Sequence, residues 1–386
     1  MVNSELCTGC MACVSICKSH ALHVVTNSKG FWEPQIDVKK CKYCGMCEKV
    51  CPRSKRRRES RSVLKTYIFK ASDEKRKMSQ SGAGFAIVAE YIIKQGGIVY
   101  GACLDKTMYC NYKRVETIDE LDAIKKSKYV QANVYGIYEQ LESDLKSDRI
   151  VLFSGTPCYV DVIKKYLQEK KINMEKLYLA DIICHGTPSP MIFSDYLTYY
   201  SETHKNRKVT SFNFRDKRFG WYGHVTIGLG KKIMVNDDYS SIFYSRYTQR
   251  DGCYVCQYSN LNRPGDICFG DAWGIEKSMP MFEDDKGISL VLINSSKGEN
   301  LWKHVQQEQE CIEVDIDDFL QPNLLHSTEK PENRDSFWKD YEKRGFADVT
   351  NQYCFPNGKF KEYEYITEKQ YIKRGIRKIV KFLKNN

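Results

Sequence analysis

Twelve cysteines supply the chemistry that the rest of this chain has to position. Cys7, Cys10, Cys13 and Cys17 are spaced C-x2-C-x2-C-x3-C, and Cys41, Cys44, Cys47 and Cys51 repeat that spacing before Pro52. Such runs hold iron–sulfur cubanes: three thiolates on a tight loop take three irons, and the fourth iron goes to a Cys on the other run. This gives one [4Fe–4S] cluster to Cys7, Cys10, Cys13 and Cys51, and a second to Cys41, Cys44, Cys47 and Cys17. Gly9 and Gly45 suit a chain folded closely round a cluster, while Lys18 stands where the pattern prefers Pro. Zinc takes two CxxC pairs at wider separation, and disulfides do not explain a duplicated four-Cys spacing.

Four more cysteines form a looser set. Ile150 to Phe153 has a buried-strand pattern, Thr156 and Pro157 have the N-cap and first-turn residues of a helix running to Lys170, and Leu177 to Ile183 is a second apolar strand. This βαβ unit predicts parallel, neighbouring strands. Cys158 in the first helical turn and Cys184 after the second strand then share the carboxyl edge of one sheet, where α/β proteins bind ligands. The helix N-terminus is expected to lower the pKa of Cys158. Cys253 and Cys256 add a CxxC pair, which completes four ligands for a third [4Fe–4S] cluster. A zinc site, or plain buried thiols at 158 and 184, explains the spacing as well. Cys268 is a substitute ligand, and Cys103, Cys110, Cys311 and Cys354 read as core or surface residues.

Residues 1–52 resemble the bacterial two-cluster ferredoxins, which move one electron at a time. The chain has 386 residues, room for two or three domains. No apolar run approaches the roughly 18 residues needed to span a bilayer. The start lacks a signal-peptide core, and 17 cysteines without one predict a reducing, cytoplasmic setting. The net charge of +11 is concentrated in the run Arg53 to Arg61 and in the tail from Lys369. That run reads first as a solvated linker and next as a docking site for an acidic electron carrier. Without interleaved aromatics, nucleic acid is the least favoured partner.

The pattern from Ser62 onward is α/β. Thr66 to Lys70 and Ile98 to Leu104 read as strands, with a helix over Phe85 to Lys94 behind the Ser79–Gly84 turn. Such a turn offers unpaired N–H groups and room for a phosphate. Helices are expected over 118–126 and 134–146. Strands are expected over Val209 to Phe214, His224 to Leu229, Lys232 to Val235 and Ile288 to Ile293, the middle pair as a hairpin at Gly230. The stretch after Asn323 reads as irregular and poor in core material. The tail from Tyr371 carries an apolar stripe of Ile372, Ile376, Ile379, Val380 and Leu383 opposite Lys and Arg. It suits packing on the body and, as a second reading, peripheral membrane contact.

Six ordered segments resemble the coenzyme F420 hydrogenase/dehydrogenase beta-subunit family over roughly residues 62–325. They are Ser81-Gly82-Ala83-Gly84, Ser127-Lys128-Tyr129-Val130-Gln131, Phe153-Ser154-Gly155-Thr156-Pro157-Cys158, Cys184-His185-Gly186-Thr187-Pro188-Ser189-Pro190, the pair Cys253 and Cys256, and the run from Asp266 to Gly274 with Gly270-Asp271-Ala272-Trp273. The resemblance implies an FAD beside a [4Fe–4S] cluster on Cys158, Cys184, Cys253 and Cys256. It places the flavin among Ser79, Ser81, Gly82, Gly84, Ser127, Lys128, Tyr129, Gln131, Ser154, Gly155 and Thr156. Ala83 departs from the usual second Gly, which puts the phosphate contact of that turn in doubt.

The expected fold class is α/β, α+β overall: a small ferredoxin-like module over 1–54, a basic linker over 55–65, then a mixed-sheet flavin-binding body in two parts, 66–149 and 150–325. Residues 326–386 form a C-terminal extension. The expected function is an iron–sulfur flavoprotein oxidoreductase. It passes electrons from a ferredoxin-like donor through the clusters to the flavin and on to a small organic substrate, an F420-type deazaflavin among the candidates. The alternative is a non-catalytic subunit that hands electrons to a partner enzyme. His185 is the candidate proton donor, against a structural role. Lys217 and Arg218 could hold an anionic substrate, and Trp221 could stack on a planar ligand.

Overall fold

The computed structural model describes residues 6–54, 62–307 and 309–366. The basic run from Lys55 to Arg61 and the amphipathic tail from Tyr371 lie outside them.

The amino-terminal module contains one antiparallel hairpin, β1 (Leu22–Thr26) with β2 (Trp32–Ile36), and two short helices, Ala12–Ser15 and Met46–Val50. Gly9 and Gly45 both have left-handed backbone, with φ of 69° and 72°. They turn the chain at the two cysteine runs, where a side chain would be strained.

The body is organised round eight strands: β3 (Lys65–Lys70), β4 (Ile98–Leu104), β5 (Cys110–Val115), β6 (Val151–Gly155), β7 (Leu177–Ile182), and, after the strands of a second sheet, β11 (Ile267–Asp271), β12 (Ser289–Ile293) and β13 (Glu310–Val314). Their order is β13-β3-β12-β11-β7-β6-β4-β5. The centre, β4, β6, β7 and β11, is parallel, as the βαβ spacing predicts; the outer pairings are antiparallel. The second sheet, all antiparallel, joins β8 (Val209–Asp216), β9 (His224–Leu229), β10 (Lys232–Val235) and β14 (Tyr363–Tyr365).

Central strands buried on both faces need cover on both. The helix Gly84–Lys94 and the helix Ser296–Val305 cover one face through Val88, Ile92, Leu301 and Trp302. The helices Ile137–Lys146 and Pro157–Glu169 cover the other, and Ala12, Ile16 and Val50 of the ferredoxin module join that same core. The module is therefore packed on the body rather than strung from it.

The polar stretch after Asn323 corrects the reading of its sequence. It forms the helices Arg334–Arg344 and Phe346–Cys354, and Phe337, Trp338, Tyr341 and Val349 are buried beneath the second sheet. Few apolar residues suffice there because the large aromatics face inward together. The 118–126 helix is also shorter than expected, Ile118–Leu121.

Candidate functional site: three thiol sets and a cavity

The first cluster set comes together. Cys7 and Cys10 sit on the loop leading into the helix Ala12–Ser15, Cys13 lies in that helix, and Cys51 follows the helix Met46–Val50. Burial pushes the Cys10 thiol up to about 12, reinforced by the neighbouring charges of Cys7 and Cys51. Burial likewise raises Cys13, with Cys10, Cys7 and Cys51 adding to it. Thiols that oppose one another's ionisation in this way need a cation to become ligands. The second set lies nearer solvent, with Cys44 exposed and Cys41, Cys47 and Cys17 partly so. Burial is the largest single influence on Cys17 and raises its pKa, but hydrogen bonds from Ser19 and from the backbone of Ala21 and Leu22 together outweigh it and leave the pKa lowered.

Cys158, Cys184, Cys253 and Cys256 all line one cavity of about 40 Å³, together with Cys7, Arg250 and Arg263. The βαβ spacing brings two of them there, Cys158 in the first turn of its helix and Cys184 past the end of β7; Cys253 lies on the short turn Asp251–Val255 and Cys256 directly follows it. The expected lowering of Cys158 is overturned. Burial raises its pKa well above normal, and the other three thiols add to the rise, so desolvation wins over the helix N-terminus. Cys184 is pushed up to about 12 for the same reason. Four desolvated thiols round one small cavity fit the donor set of a cubane. Among the described residues, no three His, Cys, Asp or Glu side chains close round a single-ion site. Cys268 is fully buried on β11 in a different apolar cluster and does not reach this cavity.

A larger cavity of about 620 Å³ adjoins it, and Cys184, Gly186 and Thr187 form walls of both. Of the residues expected to hold a flavin, Ser79, Ser81, Ser127, Lys128, Tyr129, Ser154, Gly155 and Thr156 line it. Gly82, Gly84 and Gln131 do not. The N–H groups of Gly82 and Gly84 donate to Ser289 Oγ at 3.0 and 3.2 Å, so these two are not the unpaired donors the turn was expected to offer. A Cβ at Gly82 would come within 1.9 Å of the Phe69 carbonyl, so that glycine serves close packing on β3. Ala83 takes the left-handed conformation despite its Cβ, with φ of 70°, at a cost of about 1–2 kcal/mol. Gln131 points away to the ferredoxin module, where its Nε2 donates to the Thr8 carbonyl at 3.2 Å.

The sequence reading missed the polar hub of this cavity. Asp271, inside a quoted motif but given no role, accepts from the Ser81 hydroxyl, from Trp221 Nε1 at 3.0 Å and from Arg215 at 2.7 Å. Burial would raise the Asp271 pKa, but the Arg215 guanidinium and the hydrogen bonds hold it below the usual carboxylate range. Only an acidic residue at a strand end hinted at it. Trp221 is accordingly buried as a packing residue, and exposed Tyr222 stacks on it at 5.6 Å beside the cavity.

His185 lines the cavity with its ring 5.0 Å from that of Trp273. Burial lowers its pKa, which keeps the imidazole neutral at pH 7. Lys217 donates to the Ser81 carbonyl at 2.8 Å, and Arg218 is paired with Asp216. Neither of the two lines the cavity.

Residues 148–318 match the model for the C terminus of the coenzyme F420 hydrogenase/dehydrogenase beta subunit, and residues 6–55 match the model of a 4Fe-4S dicluster domain. No curated protein matches. A solved chain in the xenon-derivatized F420-reducing [NiFe] hydrogenase complex from Methanosarcina barkeri is similar, with 16% identity and a TM-score of 0.46, over 78% of this chain and 96% of that one. The two domain matches give the protein an iron–sulfur electron-transfer role.

Proposed function

We propose that this chain is an iron–sulfur flavoprotein oxidoreductase. It carries the C-terminal domain of the coenzyme F420 hydrogenase/dehydrogenase beta-subunit family behind a 4Fe-4S dicluster domain. It takes electrons from a ferredoxin-type donor in the cytoplasm and passes them to an organic substrate. When bound, the clusters would supply one-electron transfer and the flavin the exchange between single electrons and electron pairs.

The observation that carries this reading is the shared wall. Cys7 of the ferredoxin module reaches the cavity of the Cys158 set, and Cys184 belongs both to that cavity and to the 620 Å³ one. The exposed Cys44 loop would be the entry, the buried thiols the relay, and the large cavity the place for flavin and substrate. Its walls suit a flavin: Phe85, Phe269 and Tyr129 offer apolar and aromatic surface, and Ser127 and Lys128 offer donors for phosphate. His185, neutral and facing the same space, can accept a proton there and then pass it on.

Iron, sulfide and flavin per chain on anaerobically purified protein test the reading, with about twelve irons, from three four-iron clusters, and one flavin expected. Stopped-flow reoxidation by small organic acceptors separates an enzyme from a relay: no acceptor should react if the chain only feeds a partner.

A further inference from the structure

The contact between the ferredoxin module and the body contains a buried positive charge that none of the twelve-cysteine logic requires. Arg250 is 4% exposed. Its Nη1 donates to the Cys7 carbonyl at 3.0 Å, and its Nη2 donates to the Trp32 carbonyl at 2.6 Å and to Gln131 Oε1 at 3.4 Å. The guanidinium lies over the Phe31 ring at 4.6 Å. These acceptors are all neutral, and among the described residues its Nε has no partner. The same side chain lines the cavity of Cys158, Cys184, Cys253 and Cys256, and its own carbonyl accepts from Cys253 N–H at 2.9 Å. One guanidinium thus touches the loop of the first thiol set and the wall of the third. Arg263, also on that wall, is different: its charge is matched by Asp181 at 2.6 Å.

A guanidinium keeps its charge throughout the working pH range, and burial strengthens its field on whatever lies beside it. Adding an electron to a cluster adds negative charge, so a fixed cation nearby favours the reduced form and raises the potential. A cation between two such sites favours the electron on either of them over the exposed second set.

We propose that Arg250 is a positioning residue that docks the Cys7 loop on the body and raises the potentials of the Cys7–Cys10–Cys13–Cys51 and Cys158–Cys184–Cys253–Cys256 groups together. It makes one-electron transfer inward from the solvent-facing Cys17–Cys41–Cys44–Cys47 group downhill: the outer group is oxidised and an inner one reduced, with no proton or bond changed. This rests on the three-cluster reading above.

The test is an anaerobic redox titration of the full chain followed by EPR, with iron counted in each variant. In Arg250→Gln the two inner potentials are expected to fall relative to the outer one by at least a tenfold change in the transfer equilibrium, about 59 mV for one electron. Arg250→Lys, which keeps the charge but not the fork, should recover most of that shift. Gln131→Glu sets a carboxylate beside Nη2 without removing the guanidinium and should lower the same two potentials; it carries the test if Arg250→Gln does not assemble. Unchanged inner potentials in a variant with its full iron, or an equal shift of all groups, overturns the assignment. Eight irons in the native protein would instead sink the third-cluster reading, while the Cys7 group would still report on Arg250.

Discussion

Tyr138 donates its buried phenol to the Cys10 carbonyl at 2.6 Å, which ties the body helix Ile137–Lys146 directly to the first thiol loop. In Tyr138→Phe that carbonyl loses its donor where water does not reach, a cost of about 1–3 kcal/mol. The variant is expected to melt earlier than the parent, with the visible iron–sulfur absorbance lost first. Coincident melting curves would show that apolar packing alone seats the module.

The Asp271–Arg215 pair should make the body acid-sensitive. The folded pKa of Asp271 is lowered, so its contribution is fully present above its unfolded value near 3.9 and is lost as pH falls through the folded value. Asp271→Asn leaves the guanidinium buried without its counter-charge, at a cost of about 3–5 kcal/mol near neutrality. The stability gap between parent and variant, followed by Trp fluorescence in denaturant, is expected to shrink as pH drops below about 4. A gap independent of pH would mean that the carboxylate charge is not what stabilises the pair.

Much of this arrangement was legible before any coordinates. The duplicated cysteine spacing paired Cys51 with the first run, and the structure sets it beside Cys10 and Cys13; the βαβ pattern put Cys158 and Cys184 on one sheet edge because parallel neighbours leave no other place. Local signals failed where distant residues decide. The N–H groups of Gly82 and Gly84 are taken up by Ser289, two hundred residues further on. The burial of Cys158 overrides its helix N-terminus, and burial is a property of the whole fold. Arg250 carries no spacing signature, and Asp271 stands in a motif that assigns it no role; only the assembled structure shows what surrounds them. The aromatic helices after Asn323 were lost for a related reason, since their apolar face is thin in sequence and filled by large rings.

Removing single thiols should subtract iron in blocks. Cys10→Ala is expected to lose about four irons of twelve and the EPR signal of one ferredoxin cluster. Cys158→Ala should lose a different four and leave the ferredoxin signals in place. Cys268→Ala, whose thiol sits in an apolar cluster away from the cavity, should keep all twelve. Iron loss in Cys268→Ala, or none in Cys158→Ala, would redraw the third site.

Electron entry should depend on charge at the exposed set. Lys39, Lys40 and Lys42 are exposed in the loop that carries Cys41 and Cys44. Their replacement by Glu is expected to slow second-order reduction by an acidic one-electron carrier by about tenfold or more at low salt, and far less once salt screens the surface. Stopped-flow rates at two ionic strengths measure it, with iron content as the control. A rate that ignores both the charges and the salt would move the entry point elsewhere.

Lys128 gives the cavity a pH signature of its own. Burial lowers its pKa to about 8, with the thiols of Cys110 and Cys103 pulling weakly the other way. If its ammonium meets a flavin phosphate, the anion binds the protonated form better, and binding raises that pKa in turn. Flavin affinity is therefore constant below about 8, falls as the free protein loses the proton, and levels off once the bound form also loses it. Lys128→Met should bind more weakly at pH 7, by about tenfold for a lost charge-assisted hydrogen bond of about 1.5 kcal/mol, and its profile should be flat across that window. Flavin fluorescence titrations between neutral and alkaline pH on the deflavinated chain read both. The same slope in parent and variant would take Lys128 out of the phosphate site and leave Ser127 and the Ser154–Thr156 turn to hold it.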